Sequence, residues 1–534
     1  MRKDYDAIVI GAGHNGLTAA GYLGKAGLRT LVLERREVIG GAAVTEEFHP
    51  GYRNSIASYV VSLLRPEVIR DLDLHKHGYE LIGLKGALEL CRDDHLWLTG
   101  DEANDRAEIG RFSDTDYDAI HRFEELLTRI GVVIRNQWLR EPPGLRGGFI
   151  DLMGLLKAGR DVSKLSEAER YRLLQMFTSS AADIIRRRFK SSMVRSMYAS
   201  HCVSGNNASF NQPGSAIPFF HHALGEFDGE RGGWGLARGG MGAITQAMAA
   251  FAESQGVEIR TGAVVEKIIV NKGRAQGVRL SGGEMLSARA VLSNADPKRT
   301  FLKLVGAEHL PAEFSQDISQ IRMGHASLRM NLALNGLPEL RDYPGTNIGP
   351  QHQASIVIYP PMAVMEQNYH TALAGGLPEE PRLDIVIPST LDDSLAPSGH
   401  HVMSLLCKYY PFEPAANQHW DDIKETVADH IVEYLSGYLP NIKSLIVGRQ
   451  VLSPLDLERV FGLTDGDIFH GRHDLDQIFS LRPHPAAANY RTPLAGLYLC
   501  GSGAHPGGGV SGAPGHNGAK RVIKDLRRGF GGRT

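Results

Sequence analysis

Near the start of the chain, Gly11-Ala12-Gly13-His14-Asn15-Gly16 carries the G-x-G-x-x-G spacing that holds a pyrophosphate. Gly11 permits a tight turn, Gly13 lets the backbone approach a phosphate, and Gly16 lets a helix pack closely on a strand. A helix opening there aims free N–H groups and a positive dipole end at the phosphates. Glu34 stands where a carboxylate would accept hydrogen bonds from ribose hydroxyls. The last part of the chain holds a second glycine-rich loop, Gly501-Ser502-Gly503-Ala504-His505-Pro506-Gly507-Gly508-Gly509-Val510. Together the two loops imply redox chemistry on a bound dinucleotide.

The flanking residues supply the elements such loops need. Residues 5–10 (Tyr-Asp-Ala-Ile-Val-Ile) read as a buried parallel strand, and Leu17, Ala20, Leu23 and Gly24 share one side of a helix that stops at Gly27. A second strand over 30–33 ends at Glu34, which completes a βαβ unit. Arg35 and Arg36 follow, and then a new glycine pair, Gly40-Gly41-Ala42, comes at once. In NAD dehydrogenases the strand usually runs on into another helix. The added pair resembles the FAD-binding, glutathione-reductase-like superfamily, particularly its amine oxidase and desaturase branch, so FAD is expected rather than NAD.

The C-terminal loop lies between a strand at 496–500 and a helix expected from Ala519, and that helix N-terminus would stabilise negative charge on a reduced flavin. This segment resembles the C-terminal flavin motif of the phytoene desaturase family. Gly239-Gly240-Met241-Gly242 before a helix at 243–254, strands at 257–259 and 264–268, and Ser293-Asn294-Ala295-Asp296-Pro297 match the same family in the same order. Within it, the chain is similar to a branch of pyridine nucleotide-disulphide oxidoreductase domain-containing and carotenoid-ketolase-like proteins. His14 to Leu17, Ser55 to Tyr59, Ser453 to Arg459, Gly471-Arg472-His473, Asp476-Gln477 and Arg482-Pro483 carry that likeness. The resemblance implies FAD held by Gly11, Gly13, Gly16, Glu34, Arg35, Gly40, Gly41, Ala42, the backbone near Val265, Gly501, Gly503, Gly508, Gly509 and Val510. It places His505 beside the flavin, where orientation of the loop is favoured over general-base work.

Composition narrows the partners. The 534 residues carry a formal charge of −2, so no global field draws the protein to nucleic acid or anionic lipid. Four cysteines without a C-x-x-C pair argue against a dithiol mechanism and for a reducing compartment. No signal-peptide pattern and no apolar run of membrane-spanning length stands out, which reads as an intracellular chain: cytoplasmic in a bacterium, with the mitochondrial matrix open to a eukaryotic relative. His221-His222, His400-His401 and the pair His470 and His473 lack a third ligand at useful spacing, so no metal site is expected.

The expected fold class is α/β: a Rossmann-type FAD-binding domain of glutathione-reductase type, discontinuous over 1–60, 232–300 and 484–534. A helical lid or substrate insertion at 61–231 and a mixed α+β substrate domain at 301–483 interrupt it. Helices are expected at 117–137, 166–189 and 421–437, with Ser166 and Glu169 forming a capping box, and strands at 326–334, 383–388 and 402–410. The apolar stretch 149–157 reads first as a buried helix or a homodimer contact, with a peripheral membrane contact as the alternative. Arg186-Arg187-Arg188 reads as a solvated helix end. Phe210, Phe219, Phe220 and Trp234 fit an apolar substrate channel and core packing equally well.

Three functions follow. The first is an FAD-dependent oxidoreductase moving a hydride between flavin and a hydrophobic, isoprenoid- or lipid-like molecule by desaturation, saturation or C–H oxidation. Without a second nucleotide motif, oxygen or a quinone is the expected electron acceptor. The second is a flavin amine oxidase, for which no lysine beside the flavin can be assigned from the sequence. The third is a flavoprotein whose role is regulation or partner binding.

Overall fold

Unbroken apolar runs drive the central strands of the first sheet: Ala7 to Ile10, Leu31 to Leu33 and Ala290 to Leu292 are all buried. The computed structural model describes residues 4–144, 149–203, 208–227, 229–231, 233–324, 327–345 and 347–529. Tyr5–Ile10 lies between Thr30–Leu33 and Met285–Ser293, with Glu258–Arg260 and Leu497–Leu499 outside them, all five running parallel. Their carboxyl ends share one edge, the place where open α/β sheets bind nucleotides. Both glycine loops leave from that edge, after Ile10 and after Leu499.

Three helices, His14–Lys25, Met241–Ser254 and Ala513–Arg527, cover one face through Leu17, Leu23, Ile244, Met248 and Val522. The other face packs on Ile268, Val278, Phe301 and Phe314, where Val265–Asn271 and Arg274–Leu280 extend the sheet as an antiparallel meander.

The second sheet has seven strands in the order Ile446–Leu452, Leu328–Leu334, His401–Cys407, Leu383–Val386, Ser355–Ile358, Ala87–Cys91, Asp94–Leu98. One face packs under Trp420–Ser436 through Leu328, Met330, Leu405 and Ile431. A third core is helical. It joins Asp116–Trp138 to Ala181–Arg188 and Ser192–Cys202 around Phe123, Phe189 and Tyr198.

Residues 87–98, assigned to the helical insertion, form a hairpin on the second sheet, because Leu88 and Leu90 alternate into its core. The helix expected over 166–189 is two, Glu167–Thr178 and Ala181–Arg188. At the break Ser180 caps the second helix, accepting from the Asp183 N–H at 3.0 Å, so a local side-chain bond wins over continuation. The capping box is present, Ser166 accepting from Glu169 N–H and Glu169 from Ser166 N–H. The last helix begins at Ala513 rather than Ala519, since Pro514 in the first turn is already shaped for it. The start of the strand expected over 326–334 lies outside the described residues; the strand is Leu328–Leu334.

The surface helix Phe149–Ser163 is not buried: Leu152, Leu155 and Leu156 are 53%, 44% and 58% exposed. Phe210, Phe219 and Phe220 belong to the helical core, Phe219 meeting Phe123 edge-on at 5.4 Å, so packing and not a channel occupies them.

A Cβ on Gly16 would stand 2.1 Å from the Gly11 carbonyl oxygen. Gly16→Ala is therefore expected to cut FAD content several-fold and lower Tm. Gly159→Ala, in a helix with nothing within 4 Å, is expected to hold FAD fully and gain up to about 1 kcal/mol. Flavin absorbance per protein and thermal melts check both; full occupancy in Gly16→Ala would refute the packing argument.

Candidate cofactor and active site

The first loop is locked by its own acid. The Glu34 carboxylate, 5% exposed, accepts from Ala12 N–H at 2.8 Å and from Arg36 N–H at 3.0 Å. Each oxygen keeps a further lone pair, so Glu34 can fix the loop and still accept from a ribose. Gly40 lies parallel to Gly13 and donates to Ala12 O at 2.9 Å, which brings the two glycine turns side by side. A Cβ on Gly41 would come within 3.2 Å of Gly13 Cα, and one on Gly13 within 3.0 Å of Asn294 Nδ2. Ala42 follows in a short 3-10 turn, its carbonyl accepting from Ser58 N–H at 2.9 Å.

Val265 begins its strand just past Ala263, whose N–H donates to the Glu34 carbonyl at 2.8 Å, so that backbone is beside the acid. Arg35 is directed elsewhere: its guanidinium donates to the Arg459 and Val460 carbonyls. These close the helix Pro454–Phe461, which Ser453 and Asp456 cap.

The second loop comes to the first. Asn15 Nδ2 donates to Ser502 Oγ at 3.1 Å, and a Cβ on Gly515 would stand 2.1 Å from Asn15 O. Gly501 rests on the Asn294 carbonyl and Gly503 on the Pro297 ring, at 2.5 and 2.4 Å from where a Cβ would be. Gly508 faces Phe469, and its N–H donates to His473 Nε2 at 3.3 Å; Gly509 faces Leu63. Val510 is half-buried and packs on the core below the cofactor helix. Arg482, fully buried, binds the whole corner by donating to the carbonyls of Phe469, Gly471, Arg472, Gln477 and Ser502. Burial pushes its guanidinium down to about 10, still charged near neutrality.

His505 is buried, and its Nε2 donates to the Gln137 carbonyl at 3.0 Å. Burial pushes it down to about 4, so at neutral pH it is an uncharged tie between the loop and the lid helix. This is a positioning geometry. His14 is also pushed down to about 4, by burial and then by His470. Around the loops, His14 Nε2, Asn15 Oδ1, His470 Nδ1 and His505 Nδ1 are buried without a hydrogen-bond partner. Free helix N-termini, glycine-only approach and unfilled polar atoms together suit a dinucleotide bearing a polar ring system.

Asn294, Asn15, His473 and Arg482 belong to this corner, although the glycine spacing did not single them out. Their signal was their place as polar residues inside the motifs that carry the family resemblance. Of the histidine pairs, His400 meets the Tyr52 hydroxyl while His401 meets Ser389, and His221 and His222 lie in the short helix Phe219–Leu224. Among the described residues no group of three His, Cys, Asp or Glu converges.

A family model described as flavin containing amine oxidoreductase matches residues 16–328. The chain is 40% identical to pyridine nucleotide-disulfide oxidoreductase domain-containing protein 2 of Rattus norvegicus, over 99% of its own length and 94% of the relative's. It is 27% identical to phytoene desaturase (lycopene-forming) of Pseudescherichia vulneris, over 97% and 99%. A solved putrescine oxidase bound to putrescine shares the fold, with TM-score 0.61 at 15% identity, covering 98% of this chain and 99% of that one. The disulfide in the rat protein's name has no counterpart: Cys91, Cys202, Cys407 and Cys500 are free, and burial pushes every thiol up.

Buried neutral histidines make stability depend on acid. His14 and His505 stay unprotonated in the fold down to about pH 4, while the unfolded chain protonates them near 6.5. The unfolded state thus binds more protons in that window, and stability falls as pH drops from 6.5 to 4. Each site contributes roughly 3 kcal/mol to the full loss. Tm measured across that range is expected to fall steeply, and His505→Gln to flatten the slope; an unchanged slope would count against a buried neutral His505.

Proposed function

The chain belongs to the flavin-containing amine oxidoreductase family, and on that premise we propose that it moves a hydride between FAD and a carbon of a hydrophobic, isoprenoid- or lipid-like molecule. FAD is its cofactor and an FAD-dependent oxidoreductase its class. The observation that carries the reading is the likeness, over nearly the whole chain, to a phytoene desaturase, joined to the meeting of both glycine loops at one sheet edge. Bound there, the flavin supplies the hydride acceptor or donor. The chain's residues do the rest. The helix N-termini hold negative charge, Arg482 and His505 hold the loop in place, and the helical core shields the site from water. Oxygen or a quinone takes the electrons onward.

Amine oxidation is the second reading, favoured by the family model and by Asp384 and Glu89, two buried carboxylates on the second sheet. Peroxide release with amines, absent with isoprenoids, would select it. The regulatory reading stands if Gly13→Val protein, free of FAD, keeps its cellular role.

Contact with an anionic bilayer is part of the proposal. Leu152, Leu155 and Leu156 share one exposed face of Phe149–Ser163, at i, i+3 and i+4. Beside it a cavity of about 1480 Å³ runs to the C-terminal helix, lined by Lys157, Arg160, Lys520, Lys524 and Arg528. None of those five has an ion pair among the described residues. An apolar stripe flanked by unpaired cations complements a surface of phosphate headgroups over acyl chains.

Anaerobic mixing with isoprenoid extracts is expected to bleach the oxidised flavin band; no bleaching with any extract would sink the hydride proposal. Co-sedimentation is expected with phosphatidylcholine vesicles containing phosphatidylglycerol, to weaken at high salt, and to disappear in Leu152→Ser/Leu156→Ser. Equal pelleting of that variant would remove the bilayer contact.

A further inference from the structure

We propose that the substrate carries an anionic head, a carboxylate or phosphate group, received by a buried recess on the second sheet formed by Lys408, Arg329 and Arg382. The role of that head as part of a substrate rests on the flavin chemistry proposed above. Its binding does not, because binding needs no turnover.

The charged cluster follows from strand alternation. In Leu328–Leu334, residues 328, 330, 332 and 334 enter the core under Trp420–Ser436, so Arg329 and Asn331 face the other way. The ladder sets Ser404 opposite Asn331, and Asp384 and Glu89 opposite Val357, on that same face. Arg329, Arg382 and Lys408 are each 1% exposed, with Glu89 and Asp384 nearly as buried. Three cations thus share the face with two carboxylates, and one positive charge lacks an opposite.

The partners show which charge that is. Arg382 is bound to Asp384 at 2.6 Å and to Ser200 Oγ at 2.6 Å. Glu89 Oε1 lies 3.2 Å from His201 Nε2, and its Oε2 is buried without a hydrogen-bond partner. Arg329 donates to Ile56 O, Ser55 O and Ser404 Oγ, which leaves Nη1 unfilled. Lys408 forms a backbone bond to Arg382 O, and its ammonium has no hydrogen bond or ion pair among the described residues. A buried ammonium without a partner is costly, and an arriving anion removes that cost. Burial already pushes Lys408 down to about 8.

The recess also borders the cofactor domain. Arg329 lies 5.3 Å above the Tyr59 ring, and Ser55 Oγ accepts from Met241 N–H, where the Met241–Ser254 helix opens. The segment Ser55 to Tyr59, which already braces the second glycine turn through Ser58 N–H and the Ala42 carbonyl, also joins the charged face to the flavin-binding half. An amine is the weaker fit, since Asp384 already holds Arg382, only Glu89 Oε2 is left unfilled, and the face carries more cations than carboxylates.

The test titrates the FAD-loaded protein with octanoate, octanamide, octylamine and inorganic phosphate, reading the oxidised flavin spectrum and Tm. Octanoate is expected to perturb the flavin band and raise Tm with an apparent Kd at least about tenfold below that of octanamide. Lys408→Met is expected to erase that preference while FAD content and octanamide binding stay unchanged, and Lys408→Arg to restore it. Octylamine binding tighter than octanoate would overturn the proposal in favour of a cation recess. So would an equal loss of acid and amide in Lys408→Met, or silence of octanoate and phosphate in both readouts. Bleaching by isoprenoids is a separate result, so hydride transfer and the anionic recess stand or fall independently.

Discussion

Everything in the cofactor half depends on a contact that only glycine allows: the first turn of one helix pressed against a strand end on one side and against another helix on the other. Gly16 lies over the Gly11 carbonyl, and Gly515 lies over the carbonyl of Asn15. The residues next to these contacts hold the rest, Asn15 reaching Ser502 and Glu34 reaching Ala12. Two helices nearly 500 positions apart in the chain therefore open at one edge, and both present their N-terminal turns there. Any side chain at Gly16 or Gly515 would separate them. The positive ends of two dipoles and the glycine approach to a phosphate have one geometric cause.

Arginine and histidine then fix the corner in different ways. Arg482 and Arg329 are buried deeply enough to fall to about 10, yet they keep their charge and use it on backbone carbonyls. A guanidinium spreads several donors in one plane, so one side chain can satisfy the carbonyls of a loop that has no regular secondary structure. His505 ties the flavin loop to the lid helix as an uncharged group, and His473 accepts from Gly508. The second sheet applies both ideas. Its lower face is an ordinary aliphatic core, while its upper face gathers charge against the segment that bears Tyr59.

A net charge of −2 conceals this distribution. One cavity edge collects unpaired lysines and arginines next to exposed leucines, and one buried sheet face holds more cation than anion. Such local excess is invisible to a sum over the chain, because opposite charges elsewhere cancel it in the count without screening it in space.

The cofactor half was legible along the chain. The G-x-G-x-x-G spacing, the apolar run at Tyr5–Ile10, Glu34 and the late glycine loop obey local rules, since turn, strand and helix start are set by neighbours within a few residues. Where a competing local bond decided, as at Ser180, or a proline shaped a helix start, as at Pro514, the expected boundaries moved. The rest came from long-range packing. Arg35 turned to a distant helix end, the 87–98 hairpin joined a sheet from the other half of the chain, and Phe219 entered a core. Arg329, Arg382 and Lys408 are far apart along the chain, one inside a strand and two at strand ends. They became one recess because strand order and register are long-range facts, fixed by which faces bury together and not by spacing along the chain.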